Sequence, residues 1–298
     1  GYNINMLNLI VAPRDQNAKA EKCTKRVVKI LKHEKIEYSV YFSMSMQDIS
    51  TNVQELLNIG ESDFILVGDD TLIHAFINTV KDLSKIKIGL IPTGKHNDFA
   101  NYIEISKNPK QAITDILEKN IENLDFLLLN NSTRVINNIL VGASVELFEI
   151  FKTYKLQNAI TKKFLTMKYG NKFEGIELAF MNNKSTKPKY ENIFELDISN
   201  GGLLRGNHKS PLSNVRDGLF NLNYSAEPEK EDRKNYLKLF KKGNQVYSEK
   251  TKQLWQNSVK IVNPDKRIKI LADSQIMTVE ELNVQVVENG LKIYTKID

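Results

Sequence analysis

The 298-residue sequence has one cysteine, four histidines and no long apolar run. A lone Cys23 excludes an intrachain disulfide. It falls in helical register with Ala20, Val27, Ile30 and Leu31, which predicts a core thiol rather than a nucleophile. The histidines, at 33, 74, 96 and 208, show neither HxxxH nor HxxE spacing, which argues against a zinc site. No apolar stretch approaches the ~18 residues of a membrane span. Nothing resembles a signal peptide, so the expectation is a cytoplasmic protein. There is no internal repeat and no low-complexity tract.

What is present is ordinary for a globular chain of two domains: 41% hydrophobic and 26% charged residues. Lys plus Arg number 42 against 36 Asp plus Glu, a net charge of +6. So mild an excess suits an anionic partner but is equally a solvated basic surface.

The first part alternates strand and helix patterns. Strands are predicted over Met6–Ala12, Glu37–Ser43, Phe64–Val67 and Ile86–Ile91. Helices are predicted over Lys19–His33, over Gln47–Asn58 with Asp48 and Ser50 as caps, and over Leu72–Leu83. That order predicts βαβ units and a parallel sheet, whose ligands lie beyond the carboxyl ends of the strands. Two segments sit there: Gly68-Asp69-Asp70-Thr71, and Pro92 through Asp98 (PTGKHND). Each reads alone as a strand–turn–helix with a cap. Together they are a candidate phosphate-binding floor, since turns of this kind expose backbone N–H groups.

Past about Leu127 short alternating strands dominate: 174–180, 192–199, 218–223, 260–262, 267–271, 283–287 and 291–294. Helices are predicted near 145–166 and 229–242. The second domain is expected to be a mostly-β sandwich. Asn183–Lys189 reads as a polar loop. Helix 229–242 carries Tyr236, Leu237 and Phe240 beside several lysines; it packs that stripe on its own domain more readily than on anionic lipid.

Five segments in order resemble the diacylglycerol kinase catalytic-domain family, which includes sphingosine and ceramide kinases and is distantly similar to NAD kinases. They are Val67-Gly68-Asp69-Asp70-Thr71-Leu72; Ile91 to Ala100 with its NDFA tetrad; Leu124-Asp125; Asn200-Gly201-Gly202 through Pro211 to Asp217-Gly218-Leu219; and Asp273-Ser274-Gln275. The resemblance implies an N-terminal Rossmann-like α/β domain over 1–127, with 289–298 returning to it. A β-sandwich lipid-substrate domain would span 128–288, with the nucleotide in the cleft between the two. It implies transfer of the ATP γ-phosphoryl to a diacylglycerol-like lipid alcohol, with Mg2+. It also implies transient contact with a membrane surface, peripheral at its inner face, and a homodimer. Nothing points to nucleic acid.

By the same resemblance the nucleotide floor is Pro13, Arg14, Ser43, Gly68, Asp69, Asp70, Thr71, Gly94, Lys95, Asn97 and Asp98. Gly68 lets backbone approach the nucleotide, and Thr71 offers a hydroxyl or a cap. Asp69, Asp98 and Asp125 form an acidic network acting through water and magnesium. Asn214, Asp217, Leu219 and Asp125 supply metal-linked oxygens, in keeping with magnesium's preference for scattered oxygen ligands. Asp273 is the candidate general base, with Gln275 where the family has a glutamate; an amide can orient but cannot take a proton.

The sequence also departs from the family. Val67 and Asp70 replace glycines, and the Asp70 charge faces triphosphate repulsion. Lys95 and His96 replace the Thr-x pair of the second loop, where Lys95 neutralises Asp70 or meets a phosphate. Ile73-His74 replace Asn-Glu. The first loop reads Ala12-Pro13-Arg14-Asp15-Gln16, and Ser43 stands for a common threonine. Two readings follow besides a lipid kinase: a family member that has lost catalysis and serves as a nucleotide- or lipid-binding regulator, and an NAD kinase-like enzyme.

Overall fold

The computed structural model describes residues 6–14, 18–154, 158–181, 187–208 and 210–296. The chain divides into two compact units, Gly1–Phe126 with Val287–Asp298, and Leu127–Val286. Loop residues Asp15 and Gln16, and most of the polar loop expected at 183–189, lie outside the described residues.

The first unit runs β1 (Leu7–Val11), α1 (Ala18–His33), β2 (Tyr38–Phe42), α2 (Met46–Asn58), β3 (Asp63–Gly68), α3 (Asp70–Thr79), β4 (Lys87–Pro92), α4 (Asp98–Tyr102), α5 (Pro109–Leu117) and β5 (Ile121–Leu129), the last passing into the second unit. β1 and β3 are buried along their whole length, as expected of strands covered on both faces. β1 pairs in parallel with β2 and β3, and β3 with β4. α1 buries Ala20, Thr24, Val27 and Leu31. Cys23 lies on the flank of that stripe and is only half-buried, which corrects the core-thiol reading; partial burial pushes its thiol up despite Arg26 nearby.

Local capping sets the helix ends. α2 is opened by Ser45, not by Asp48 or Ser50: the Ser45 hydroxyl accepts from the Asp48 amide, and the Asp48 carboxylate reaches back to the Ser45 amide. α3 stops at Thr79, short of the expected Leu83, because Val80 turns extended. Asp82 then opens a separate short 3-10 turn at Leu83–Lys85. α5, which periodicity did not reveal, has Asn108 as its cap and Pro109 at its first position.

The second unit contains β6 (Thr133–Val135), β7 (Asn138–Gly142), α6 (Ala143–Thr153), α7 (Ala159–Tyr169), β8 (Ile176–Met181), β9 (Glu191–Ser199), a short ribbon of β10 (Leu203–Leu204) and β11 (Asn207–His208), β12 (Phe220–Ala226), α8 (Arg233–Lys241), β13 (Thr251–Gln256), β14 (Ser258–Val262), β15 (Ile268–Ala272), β16 (Gln275–Val279) and the first half of β17 (Glu281–Tyr294). It is mostly β, as expected, and antiparallel: β16, β15, β7, β9, β8, β14 and β17 follow in order, with β12 and then β13 branching from β9. Its core gathers side chains such as Leu129, Val141, Leu196, Ile198, Phe220, Ile261 and Leu282. The single helix expected over 145–166 is two helices. The expected break at 288–290 is absent, because one strand, β17, runs through it. α8 buries Tyr236, Leu237 and Phe240 against Leu140, Phe194 and Leu271, so its apolar stripe serves the second unit's own core.

The last residues belong to the first unit. β17 pairs in parallel with β4 through Lys292↔Lys87 and Ile293↔Ile88. The Tyr294 hydroxyl donates to the Asp63 carboxylate; burial first, and this carboxylate second, push the phenol well above its ordinary range. The Asp125 carboxylate accepts the Asn289 amide at 2.8 Å, and Phe126 fills the space a Cβ on Gly290 would need.

Candidate functional site

In the first unit, β3 and β4 end side by side, and their loops interlock. The Thr93 amide donates to the Gly68 carbonyl at 2.9 Å. A Cβ on Gly94 would lie 2.4 Å from Asp69 Cβ, so only glycine lets the two turns approach this closely. Asn97, in the left-handed region at φ 46°, closes the second turn on itself. Its Oδ1 accepts from the Gly94 amide at 2.9 Å, and its Nδ2 donates to the Gly94 carbonyl at 2.8 Å. Asn tolerates that conformation better than most residues.

Asp69 and Asp70 divide the labour of holding the floor. Asp69 is the N-cap of α3, accepting from the Thr71 and Leu72 amides at 3.1 and 3.4 Å. Asp70 turns away from its own helix. Both its oxygens lie 3.3 Å from the Phe99 amide, in the first turn of α4. The carboxylate that replaces a glycine thus supplies, from within the chain, the negative charge that a helix start attracts. Gly68 has a packing role, since a Cβ there would strike Leu72 Cδ2 at 2.5 Å and Ala12 Cβ at 3.1 Å.

Other candidates surround the floor at different depths. Pro13 is buried, and Arg14 and Lys95 are exposed. Ser43 is buried at the end of β2, where its hydroxyl accepts from Asn52 Nδ2 at 3.3 Å. Asp98 is buried. Beneath the loops lies a cavity of about 10 Å³ lined by Leu66, Asp69, Asp70, Ile73, Leu90 and Asn97 among others. Its volume matches roughly one water molecule, so a nucleotide would lie over this floor rather than inside it.

The metal candidates are divided between the two units. Asp125 serves Asn289 in the first unit. In the second unit Asp217 closes a turn, accepting from the Leu219 amide at 3.0 Å with Gly218 at φ 70°, and Asn214 accepts from the Arg216 amide. Among the described residues no three acidic, histidine or cysteine side chains lie close enough to hold a metal ion.

The late motifs converge on two peptide groups. The Asp273 carboxylate accepts from the Ile136 and Asn137 amides at 2.7 and 2.8 Å, while Asn200 Nδ2 donates to the Ile136 carbonyl at 2.8 Å. The Asn200 and Gly201 amides both donate to the Asn137 carbonyl. Asp273 and Ser274 form the two-residue turn between β15 and β16, at φ 45° and 73°, with Gln275 exposed on β16. Asp273, the candidate base, is thus a clamp on the chain segment that enters β7.

Sequence reasoning missed a fully buried polar ladder in the second unit. By register Ser199 faces Asn221, Asp197 faces Asn223, and Glu195 faces Ser225. Ser210 bridges Asn221 and Asn223 at 2.7 and 3.1 Å. Its only signal in the sequence is polar residues alternating in step along two strands.

Residues 6–129 match the diacylglycerol kinase catalytic domain. The family recognised from the sequence motifs is therefore the family found, over the part of the chain that carries the interlocked loops. The whole fold is shared more widely. A diacylglycerol kinase from Bacillus anthracis str. Sterne, 14% identical, superposes with a TM-score of 0.73 over 99% of this chain and 98% of its own. A candidate diacylglycerol kinase from the same organism, 15% identical, reaches 0.77 over 99% of each chain. An NAD kinase from Archaeoglobus fulgidus in complex with ATP, 12% identical, reaches 0.52 over 98% and 94%. No curated protein sequence matches the chain.

Proposed function

We propose that the protein binds ATP over the interlocked β3 and β4 loops and acts as a lipid kinase, passing the γ-phosphoryl group to a diacylglycerol-like lipid alcohol. The observation that carries this reading is the loop pair itself. Asp69, Gly94 and Asn97 hold the family's two strand-end segments in mutual contact, within a stretch that matches the catalytic domain. Such a floor can position phosphates, which is most of what phosphoryl transfer asks of a protein. Lys95, exposed beside it, is a cation available to a phosphate. Magnesium would accompany the triphosphate, keeping several waters among its oxygen ligands.

Asp70 and Asp273 favour a second reading, a nucleotide-binding family member without turnover. Asp70 covers the Phe99 amide with its own charge. Asp273 already accepts two backbone amides, and Gln275 cannot take a proton. The test is transfer of radiolabelled phosphate from ATP to dispersed lipid alcohols, with ATP binding measured on the same preparation. Binding with transfer supports the kinase. Binding without transfer to any acceptor supports the second reading. Transfer to NAD in place of lipid would overturn both.

A further inference from the structure

We infer that the solvent face of α1 is a docking surface for an acidic helix of a partner protein. Its six cations, Lys19, Lys22, Lys25, Arg26, Lys29 and Lys32, are all exposed, while Ala20, Thr24, Val27 and Leu31 face the core. On a helical projection, with successive residues about 100° apart, the six fall within an arc of about 140°. The 16 residues of the helix extend that arc along about 24 Å. Set against Glu21, the only carboxylate of the helix, the six give it a charge of +5, out of +6 for the whole chain. The rest of the molecule is therefore close to neutral, and the cationic excess is one strip rather than a diffuse coat.

A strip of one sign costs the helix stability. Its cations recur at i, i+3 and i+4, and like charges at that spacing repel. Among the described residues Glu21 is the only carboxylate in an ion pair with any of the six, reaching Lys25 at 2.9 Å. A face that merely meets water mixes its signs. The strip's chemistry selects the partner. No large apolar side chain is exposed on α1, so the strip lacks what enters a bilayer. It carries no aromatic side chain to stack on a base and no amide to read one. Five of its six cations are Lys, whose point charge lacks the Arg fork that matches phosphate. A partner helix with carboxylates at i, i+3, i+4 and i+7 repeats the same spacing. It can lie along the strip with its charges opposed, as the flanking charges of paired helices do. The inference uses no feature of the nucleotide floor.

Fluorescence anisotropy tests it, with a labelled helical peptide bearing glutamate at i, i+3, i+4 and i+7. The full chain is expected to bind the peptide at low salt, and more weakly as salt screens the charges. A peptide of equal charge whose central prolines forbid a helix should bind at least about tenfold more weakly. The double variant K22E/K29E should lose at least about tenfold in affinity for the helical peptide. Its thermal midpoint should equal or exceed the parent's, because the reversal relieves repulsion along the helix. K238E/K241E, an equal change of charge on the exposed side of α8, should bind the peptide as the parent does. No binding at low salt, or equal affinity in the parent and K22E/K29E, would overturn the inference. So would equal binding of the two peptides, or an equal loss in K238E/K241E, since net charge alone would then explain the result. Tighter binding of a single-stranded oligonucleotide or of phosphatidylglycerol vesicles than of the peptide, lost in K22E/K29E, would also overturn it, because the strip would then serve phosphates.

Discussion

Asp70 stands where the family resemblance expects a glycine, and it spends its carboxylate on the amide of Phe99. Asp70→Gly should therefore have two opposite effects. Losing the contact at the start of α4 should cost about 1 kcal/mol of stability, read as a lower thermal midpoint. Removing a charge that faces the triphosphate should tighten ATP binding on the order of tenfold, read by calorimetry. Ser274 makes a second residue-scale case. It holds φ 73° in a two-residue turn that favours glycine. Ser274→Gly should stabilise the second unit by about 1 kcal/mol, raising the denaturant midpoint. None of these partnerships was legible beforehand. The sequence places Asp70 in the first loop, but its bond to Phe99 spans 29 residues and depends on how the two turns meet. The two amide partners of Asp273, the candidate base, are likewise 137 and 136 residues away in sequence.

Among the elements, legibility followed burial. β1 and β3, wholly buried, stand out as apolar runs, and α1 as a periodic stripe. β13 and β16 alternate between exposed and half-buried and offered no such contrast. β17 read as two strands because Glu288-Asn289-Gly290 resembles a turn. In the fold Asn289 takes a left-handed conformation, with φ 52°, inside a continuous strand, and Asp125 captures its amide. Two element-scale predictions follow from packing. Phe240, buried in α8 against the β-sheet of its unit, should cost about 3–5 kcal/mol on replacement by alanine. The only tryptophan, Trp255, lies in β13 of that unit, so its fluorescence should report the earlier unfolding in urea. Gly94→Ala should drive a methyl group into Asp69, costing about 1–3 kcal/mol and weakening ATP binding together with stability.

On the scale of the whole molecule, the first unit is completed by residues nearly 300 positions from its start, and Tyr294 fastens them to Asp63. The folded-state value of this phenol is raised by burial and by Asp63, so the neutral form is the one the fold holds. Its contribution is fully present below the unfolded value near pH 10. It is lost as pH rises above that toward the raised value, because the unfolded chain ionises first. Tyr294→Phe removes this group's titration. Its thermal midpoint should fall less steeply than the parent's across alkaline pH. The architecture was legible from alternating βαβ patterns followed by short strands, because the two sheet types bury their faces differently. The returning strand was legible only by family resemblance, since its pairing with β4 rests on two registered residues, Lys292 and Ile293.

The central claim is that the interlocked β3 and β4 loops receive a nucleotide whose approach Asp70 restrains. Calorimetric titration of ATP into the parent protein and into Asp70→Gly tests it most directly. The account predicts binding to both, tighter in the variant on the order of tenfold. No heat from either protein at millimolar ATP, or equal affinity in the two, would contradict it.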